Sequence, residues 1–457
     1  MDRLTIRHQY FAALALACLL SAAWAIGDWS NLAARALSDT DDVMRLQQVR
    51  DWLAGQAFAD VSQHRLAGGL AMHWSRIGDL VPAAIIVAMR PLIGTAGAEI
   101  AAIIGWPLMQ FAALLSLIVS ITRTIAPRAV ATALVMAALA YPAITLFVPG
   151  RVDHHGLQLL LVLVQLRALL AVPSLSSGAL AGAAAAAGAA IGLETAPFAV
   201  VTAAVMVLGW FRGDGQRLTG FGIALAISLF ALLPLSAHGG VCDTVGPLVT
   251  PVIVGGLALA ALGRCTRFRL PLLLATGAAL TMFAWPALRP CLSGPYGTVD
   301  PMVARLWLAN VSEAKSLFAV SLGEAIGSAG LVFVGLAASG WLAWRQDRVW
   351  WLVFAYQAVS AAITLAQLRG AYIGAALAVL PLASMLTAAR QRGRSGLVLA
   401  LWVAGTGISY PLLTRLLTPQ EASAATGGCT RNAVLTRLNA LPVGRVMAGI
   451  DAGAFIV

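Results

Sequence analysis

An all-α polytopic membrane protein is what this sequence predicts, on three observations. First, 60% of the 457 residues are hydrophobic and only 11% are charged, against about a quarter charged in an ordinary soluble domain. Second, apolar runs of spanning length recur along the chain; because unsatisfied backbone in lipid costs several kcal/mol per group, runs this long must span as helices. Third, the basic excess, 30 Lys and Arg against 19 Asp and Glu for a formal charge of +11, sits in short arginine clusters between those runs. That is the pattern of a positive-inside bias, and it argues against a nucleic-acid partner.

The elements follow in order. Arg3 and Arg7 precede an apolar run at 10–26 ending near Ala23-Trp24-Ala25, which suits a cleaved signal peptide or an uncleaved first helix. The uncleaved helix is the preferred reading, and both place Gly27 onward outside the cytoplasm. Residues 27–79 form a first external loop in which Leu46, Val49 and Leu53 recur at helical spacing, predicting amphipathic helices on the membrane surface. The run 80–93 is short and interfacial, and 98–121 is the next full span, ending at Arg123 and Arg128. Further spans are predicted at 129–148, 156–172, 178–191, 197–210, 221–237, 248–262 and 271–288. A late external loop at 289–317 precedes spans at 319–344, 350–366, 372–389 and 397–413. The expectation is thirteen spans in a transmembrane domain, 1–413, with a short extracytoplasmic tail, 414–457. The five cysteines include no CxxC pair, so a zinc or iron–sulfur centre is unsupported. Cys242, Cys291 and Cys429 fall in external segments, where a disulfide would leave one over.

This topology gathers the chain's unusual polar groups on one face. Asp39, Asp41 and Asp42 lie in the first loop; Asp153, His154 and His155 follow a span; Glu313 lies in the late loop; Gln367 and Arg369 cap another span. Glu194 sits at an outer helix end. Carboxylates joined by one imidazole are ligands suited to magnesium or manganese, though each group alone is what a solvated loop would contain.

Asp-Thr-Asp-Asp-Val-Met-Arg-Leu at 39–46 resembles the first-loop acidic motif of oligosaccharyltransferase catalytic subunits, most like the archaeal form. Aligned on Leu46, Asp41 takes the metal-binding position. Trp74-Ser75-Arg76-Ile77-Gly78-Asp79 is similar to the family's Trp-Gly-Pro-Leu-Phe-Asp stretch, and Gly150-Arg151-Val152-Asp153-His154-His155 to its second acidic motif, in which Asp153 and His155 are the implied metal ligands. Asn310-Val311-Ser312-Glu313 resembles the Thr-Ile-x-Glu signature, and Arg369 falls where the family has an arginine that grips the donor pyrophosphate. The motifs come in family order, and the resemblance implies a GT-C glycosyltransferase fold. Three departures stand out. Val43 and Met44 replace an aromatic pair. The acceptor-reading Trp-Trp-Asp is absent, since Trp350-Trp351 is followed by Leu352. The tail is too short for the family's large C-terminal soluble domain.

The resemblance therefore implies transfer of a saccharide from a polyprenyl-phosphate or polyprenyl-pyrophosphate donor, on the extracytoplasmic face of a bacterial inner membrane, to a glycan, lipid or protein acceptor. It implies a divalent metal, Mg2+ or Mn2+, on Asp41, Asp153 and His155, with Asp41, Asp42 and Glu313 serving the chemistry. Arg369, Gln367, Glu194 and His154 would contact substrate. The reading from a different class is a transporter or flippase of a lipid-linked or anionic substrate, in which Arg369 and Glu194 would line the path.

Overall fold

The computed structural model describes residues 3–457 apart from 67–68, 73, 237–241, 243, 297–298, 418–435, 439, 443, 445, 448–452, 454 and 457. Cys429 and much of the predicted tail lie outside the described residues. The chain is helical almost throughout. It runs α1 (Arg3–Gly27), α2 (Trp29–Ala34), α3 (Thr40–Leu53), α4 (Ile77–Ile125), α5 (Val130–Ala137), α6 (His155–Leu169), α7 (Leu175–Ile191), α8 (Ala196–Phe211) and α9 (Gly215–Leu232). It continues through α10 (Val249–Arg264), α11 (Arg269–Leu288), α12 (Pro301–Leu306), α13 (Leu322–Arg345), α14 (Val349–Ala366), α15 (Gly370–Gln391), α16 (Ser395–Gly405) and α17 (Ser409–Leu417). The described strands are two residues each, β1 (Ser62–Gln63) and β2 (Leu70–Ala71), paired antiparallel with Ser62 opposite Ala71.

Among the described residues, nine helices are long and apolar enough to cross a membrane, or ten if α16 and α17, bent by 87°, count as one span. Three shorter apolar helices, Pro127–Ala137, His155–Leu169 and Leu175–Ile191, stand where the sequence predicts spans. The expected total of thirteen requires these three to cross as well, which their length alone does not establish. At 49 residues α4 would measure about 74 Å, more than twice the hydrocarbon thickness. Gly94, at φ 72° and ψ 172°, breaks it, and the break separates the predicted short run at 80–93 from the span beginning near 98.

The first external loop differs from its expected place on the membrane surface. Leu46 and Val49 are buried against Ala83, Ile86 and Ala98 of α4, so the apolar stripe of α3 packs on protein. Asp39 caps α3, its carboxylate accepting the Asp41 N–H at 3.1 Å, and Asp41 and Asp42 fill the first turn, where the helix dipole favours acids.

Helix α15 is the most deeply buried span and packs against α5, α13, α14 and α16. On the other side α7, α9 and α10 meet through glycine. A Cβ on Gly182 would lie 2.2 Å from the Phe221 carbonyl oxygen, and one on Gly220 would lie 2.1 Å from that of Leu175. These are main-chain collisions, which no rotamer relieves. Gly182→Ala is expected to cost about 1–3 kcal/mol, read as a lower unfolding midpoint in detergent; an unchanged midpoint would mean that α7 and α9 do not pack this closely.

The two ends of the bundle differ in chemistry. At the end where α6 finishes, Arg217 donates to the carbonyls of Leu169 (3.2 Å) and Ala171, and Arg269 donates to that of Phe211 at 2.9 Å. The opposite end of α6 begins at His155, and there the acidic motifs assemble. A disulfide between Cys242 and Cys291, with Cα atoms 5.4 Å apart, ties the α9–α10 connection to the segment after α11. Cys18 and Cys265 are free.

Candidate active site

The site is built on helix starts. Gly150, at φ +96°, turns the chain after α5, and its N–H donates to the Ile103 carbonyl at 2.8 Å. The next residues are fastened by Asp42, whose Oδ1 accepts the N–H groups of Val152 (2.7 Å) and Asp153 (2.8 Å). Arg151 reaches back to Asp42 Oδ2 at 3.0 Å and to Asp39. The two acidic motifs, more than a hundred residues apart in sequence, thus lock together through Asp42. The oxygens of Asp42 are directed at that backbone and at Arg151.

Asp153 Oδ1 lies 2.6 Å from His154 Nδ1 and 3.6 Å from Arg45 Nη2. Its other oxygen, Oδ2, is buried without a hydrogen bond among the described residues and lies 3.3 Å from His155 Nε2. Glu313 Oε1 is 3.5 Å from the same nitrogen. On the far side of the ring, His155 Nδ1 is 3.1 Å from Glu194 Oε2 and 3.3 Å from Gln158 Oε1. A carboxylate only accepts, so Nδ1 bears the proton it gives to Glu194; Nε2 points at Asp153 and Glu313, where it would turn a lone pair to a cation bound between them. Glu194 also takes an ion pair from Arg369 Nη1. Arg369 Nη2 is 3.0 Å from Glu313 Oε1 and donates to the Tyr296 hydroxyl.

The late loop reaches this cluster through its main chain. The Leu368 N–H donates to the Lys315 carbonyl at 2.9 Å and the Arg369 N–H to the Glu313 carbonyl at 3.0 Å, just ahead of α15. A cavity of about 360 Å3 opens beside the cluster, lined by His155, Gln158, Glu194, Gln367, Arg369 and Tyr372 and walled on one side by the Cys242–Cys291 disulfide.

Burial pushes the Asp41 carboxyl up to about 7, with Asp153 and Asp39 adding to the rise. Asp42 is likewise raised to about 7 by burial, against the pull of Arg151. For Asp153 burial also works upward, but His154, His155 and Arg45 outweigh it and hold the carboxyl well below the usual range. Glu313 is buried too, yet His155 and Arg369 hold it low.

The donor set fits a divalent cation. Asp39, Asp41, Asp42, Asp153, Glu194 and Glu313 outnumber the guanidiniums of Arg45, Arg151 and Arg369 around them, and two of those acids are raised, chiefly by burial and further by the neighbouring carboxylates. Ligand atoms of Asp153, His154 and His155 lie within 4.8 Å of one another. The orphaned Asp153 Oδ2 and His155 Nε2 face each other, and Glu194 fixes the His155 tautomer as carboxylates do behind metal-bound histidines.

The candidate residues therefore fall into three groups. Asp153, His155, Glu194, Glu313 and Arg369 form one run of contacts. Asp41 lies within electrostatic reach of Asp153, His155 and Glu313. His154 turns toward Arg45 and Asp153, its Nε2 3.9 Å from Glu194, while Gln367 lines the cavity.

Several residues were not singled out by motif. Arg45 is fully buried, paired with Asp79 Oδ1 at 3.0 Å, and stacked 5.0 Å from the Trp74 ring centroid. Asp79 is also held by Gln48 (2.7 Å) and Arg76 (3.2 Å). The available signal was an arginine set between two core positions, Met44 and Leu46. Gln158 carried one as well, since it is three residues after His155 in an apolar run and so on the same helix face. Tyr296, brought from a loop, had no local signal.

The fold, a helical domain with buried acids and one arginine beside a cavity, is similar to that of solved oligosaccharyltransferases. Among solved structures, the chain is similar to the archaeal oligosaccharyltransferase AglB from Archaeoglobus fulgidus in complex with an inhibitory peptide and a dolichol-phosphate, with TM-score 0.64 and 14% identity over 89% of this chain and 56% of that one. The apo form of the Archaeoglobus fulgidus oligosaccharyltransferase gives 0.61 and 13% over the same shares. Its complex with Zn and sulfate gives 0.55 and 16% over 83% of this chain and 49% of that one. The chain spans about half the length of these proteins, and at such identities the likeness is one of fold. No family model and no curated protein matches the sequence.

Proposed function

We propose that this chain is a metal-dependent glycosyltransferase that moves a saccharide from a polyprenyl-phosphate or polyprenyl-pyrophosphate donor to an acceptor at the extracytoplasmic face of a membrane. The arginine-rich ends lying opposite the acidic end support a site on the extracytoplasmic face, which in a bacterial inner membrane is the periplasmic side. The observation that carries the reading is the convergence of Asp153, His155, Glu194, Glu313 and Arg369 at one cavity mouth. A transporter has no need to concentrate its charged groups there.

The residues divide the work. Asp153 and His155, with Asp41, would hold Mg2+ or Mn2+, which when bound supplies Lewis-acid stabilisation of phosphate oxygens. Arg369 neutralises the phosphate that departs with the bonding electrons as the sugar C1–O bond breaks. Glu313, on the same loop face, orients the acceptor nucleophile and takes its proton as the new bond to C1 forms, with inversion at that carbon. Asp42 and Glu194 act behind these groups, bracing the 152–153 backbone and the His155 ring.

The test is transfer by the purified protein from a polyprenyl-pyrophosphate-linked saccharide to a panel of glycan, lipid and peptide acceptors. Chelation of divalent metal is expected to abolish transfer, and added Mn2+ or Mg2+ to restore it. Full turnover after complete metal removal overturns the metal requirement. Export of the intact donor without cleavage overturns the transferase reading.

A further inference from the structure

We infer that Gln158 is a specificity-determining residue for the lipid-borne phosphate, donating its side-chain N–H to a phosphate oxygen in the cavity. The inference rests on the transferase reading above.

Gln158 is 2% exposed and lines the cavity. Its Oε1 is 3.3 Å from His155 Nδ1. Because Glu194 fixes the proton on Nδ1, Gln158 must present its carbonyl oxygen there, and its NH2 group is turned the other way. That Nε2 is buried with no hydrogen-bond partner among the described residues. An amide left so in an apolar wall is costly, and an acceptor on a bound molecule would return that cost. Arg369, which also lines the cavity, carries a second buried donor without a hydrogen bond at Nε. Two unpaired buried N–H groups on residues that line one largely apolar chamber suit a ligand rich in anionic oxygen. Gln158 lies three residues along α6 from His155, about 4.5 Å deeper, so the oxygen it meets is on the hydrocarbon side of the acidic cluster. In a donor whose saccharide faces that cluster, this position belongs to the phosphate nearest the lipid. A neutral amide there tolerates the phosphate's arrival and departure, whereas a second arginine would hold the product.

The probes are a polyprenyl phosphate, the matching polyprenol and inorganic phosphate, titrated into wild type, Gln158→Leu and Gln158→Glu. The glutamate variant keeps the acceptor toward His155 and loses the donor. Both variants are expected to bind polyprenyl phosphate about tenfold to a hundredfold more weakly, to bind polyprenol as wild type does, and to keep Mn2+ affinity within about twofold in Gln158→Glu. Inorganic phosphate is expected to show only a weak version of the same trend. Wild-type affinity for polyprenyl phosphate in Gln158→Glu, with its unfolding midpoint unchanged, overturns the inference alone. Equal losses for polyprenol, or a loss that tracks Mn2+ affinity, overturn it in favour of wall packing or His155 positioning. Failure of the wild type to bind either polyprenyl phosphate or Mn2+ overturns the transferase reading itself.

Discussion

Asp153→Asn is expected to lower transfer by roughly 10³-fold while leaving the unfolding midpoint close to wild type. Asparagine keeps the size of the side chain and the carbonyl facing His154 and Arg45, at 2.6 Å and 3.6 Å in the native protein. It removes the charge at Oδ2, the oxygen with no hydrogen bond in the buried interior. Metal affinity and turnover should therefore fall together. Turnover measured alongside Mn2+ titration checks this, and a variant within about tenfold of wild type at saturating metal would remove Asp153 from the ligand set. His155→Ala is a weaker test, because it also frees Glu194 and alters the pairing of Arg369.

Arg45→Met is expected to destabilise the protein by about 3–5 kcal/mol, because it leaves the buried Asp79 Oδ1 without its cation while Gln48 and Arg76 hold only Oδ2. Arg45 is 1% exposed and joins α3, the start of α4 and the 153–154 turn through Asp79, the Ser75 carbonyl and His154. The double change Arg45→Met with Asp79→Leu should recover part of that loss, since it removes the unpaired Asp79 oxygen but takes the carboxylate from the buried Arg76. Arg76 would keep its bonds to the carbonyls of Phe58 and Asp60. Activity should stay low in the double variant, because Asp153 and His154 lose Arg45 in either case. Unfolding midpoints of the four proteins in detergent decide the matter. A single-variant loss within about 1 kcal/mol, the range of exposed pairs, would mean that water reaches this pair.

Much of the architecture was legible because its determinants are local. Apolar runs and arginine clusters mark the helices, and Gly94 marks the break in α4 that run length alone suggested. Asp41, Asp153, His155, Glu313 and Arg369 stood out through the ordered set of motifs that resembles oligosaccharyltransferases, since each alone is what a solvated loop would contain. What local pattern does not carry is pairing across the chain. Nothing near Asp42 says that its carboxylate will hold the backbone of residue 153, and nothing near Tyr296 says that it will meet Arg369. Run length does not set the span total for a related reason: α5, α6 and α7 are buried by neighbours, so their lengths need not match a bilayer. The apolar stripe of α3 was read as membrane-facing because burial against protein and burial in lipid leave the same period in a sequence.

The late loop is addressed to the site by its main chain. The carbonyls of Glu313 and Lys315 accept from consecutive amides ahead of α15, and hydrogen bonds of that kind are indifferent to which side chains the loop carries. The stretch 300–312 can therefore drift in sequence, and with it the surface offered to an incoming acceptor, while the carboxylate at 313 stays beside Arg369. Loop position rests on two main-chain bonds and loop identity on side chains those bonds do not read, so a substitution in 300–312 need not disturb the charged cluster beneath it.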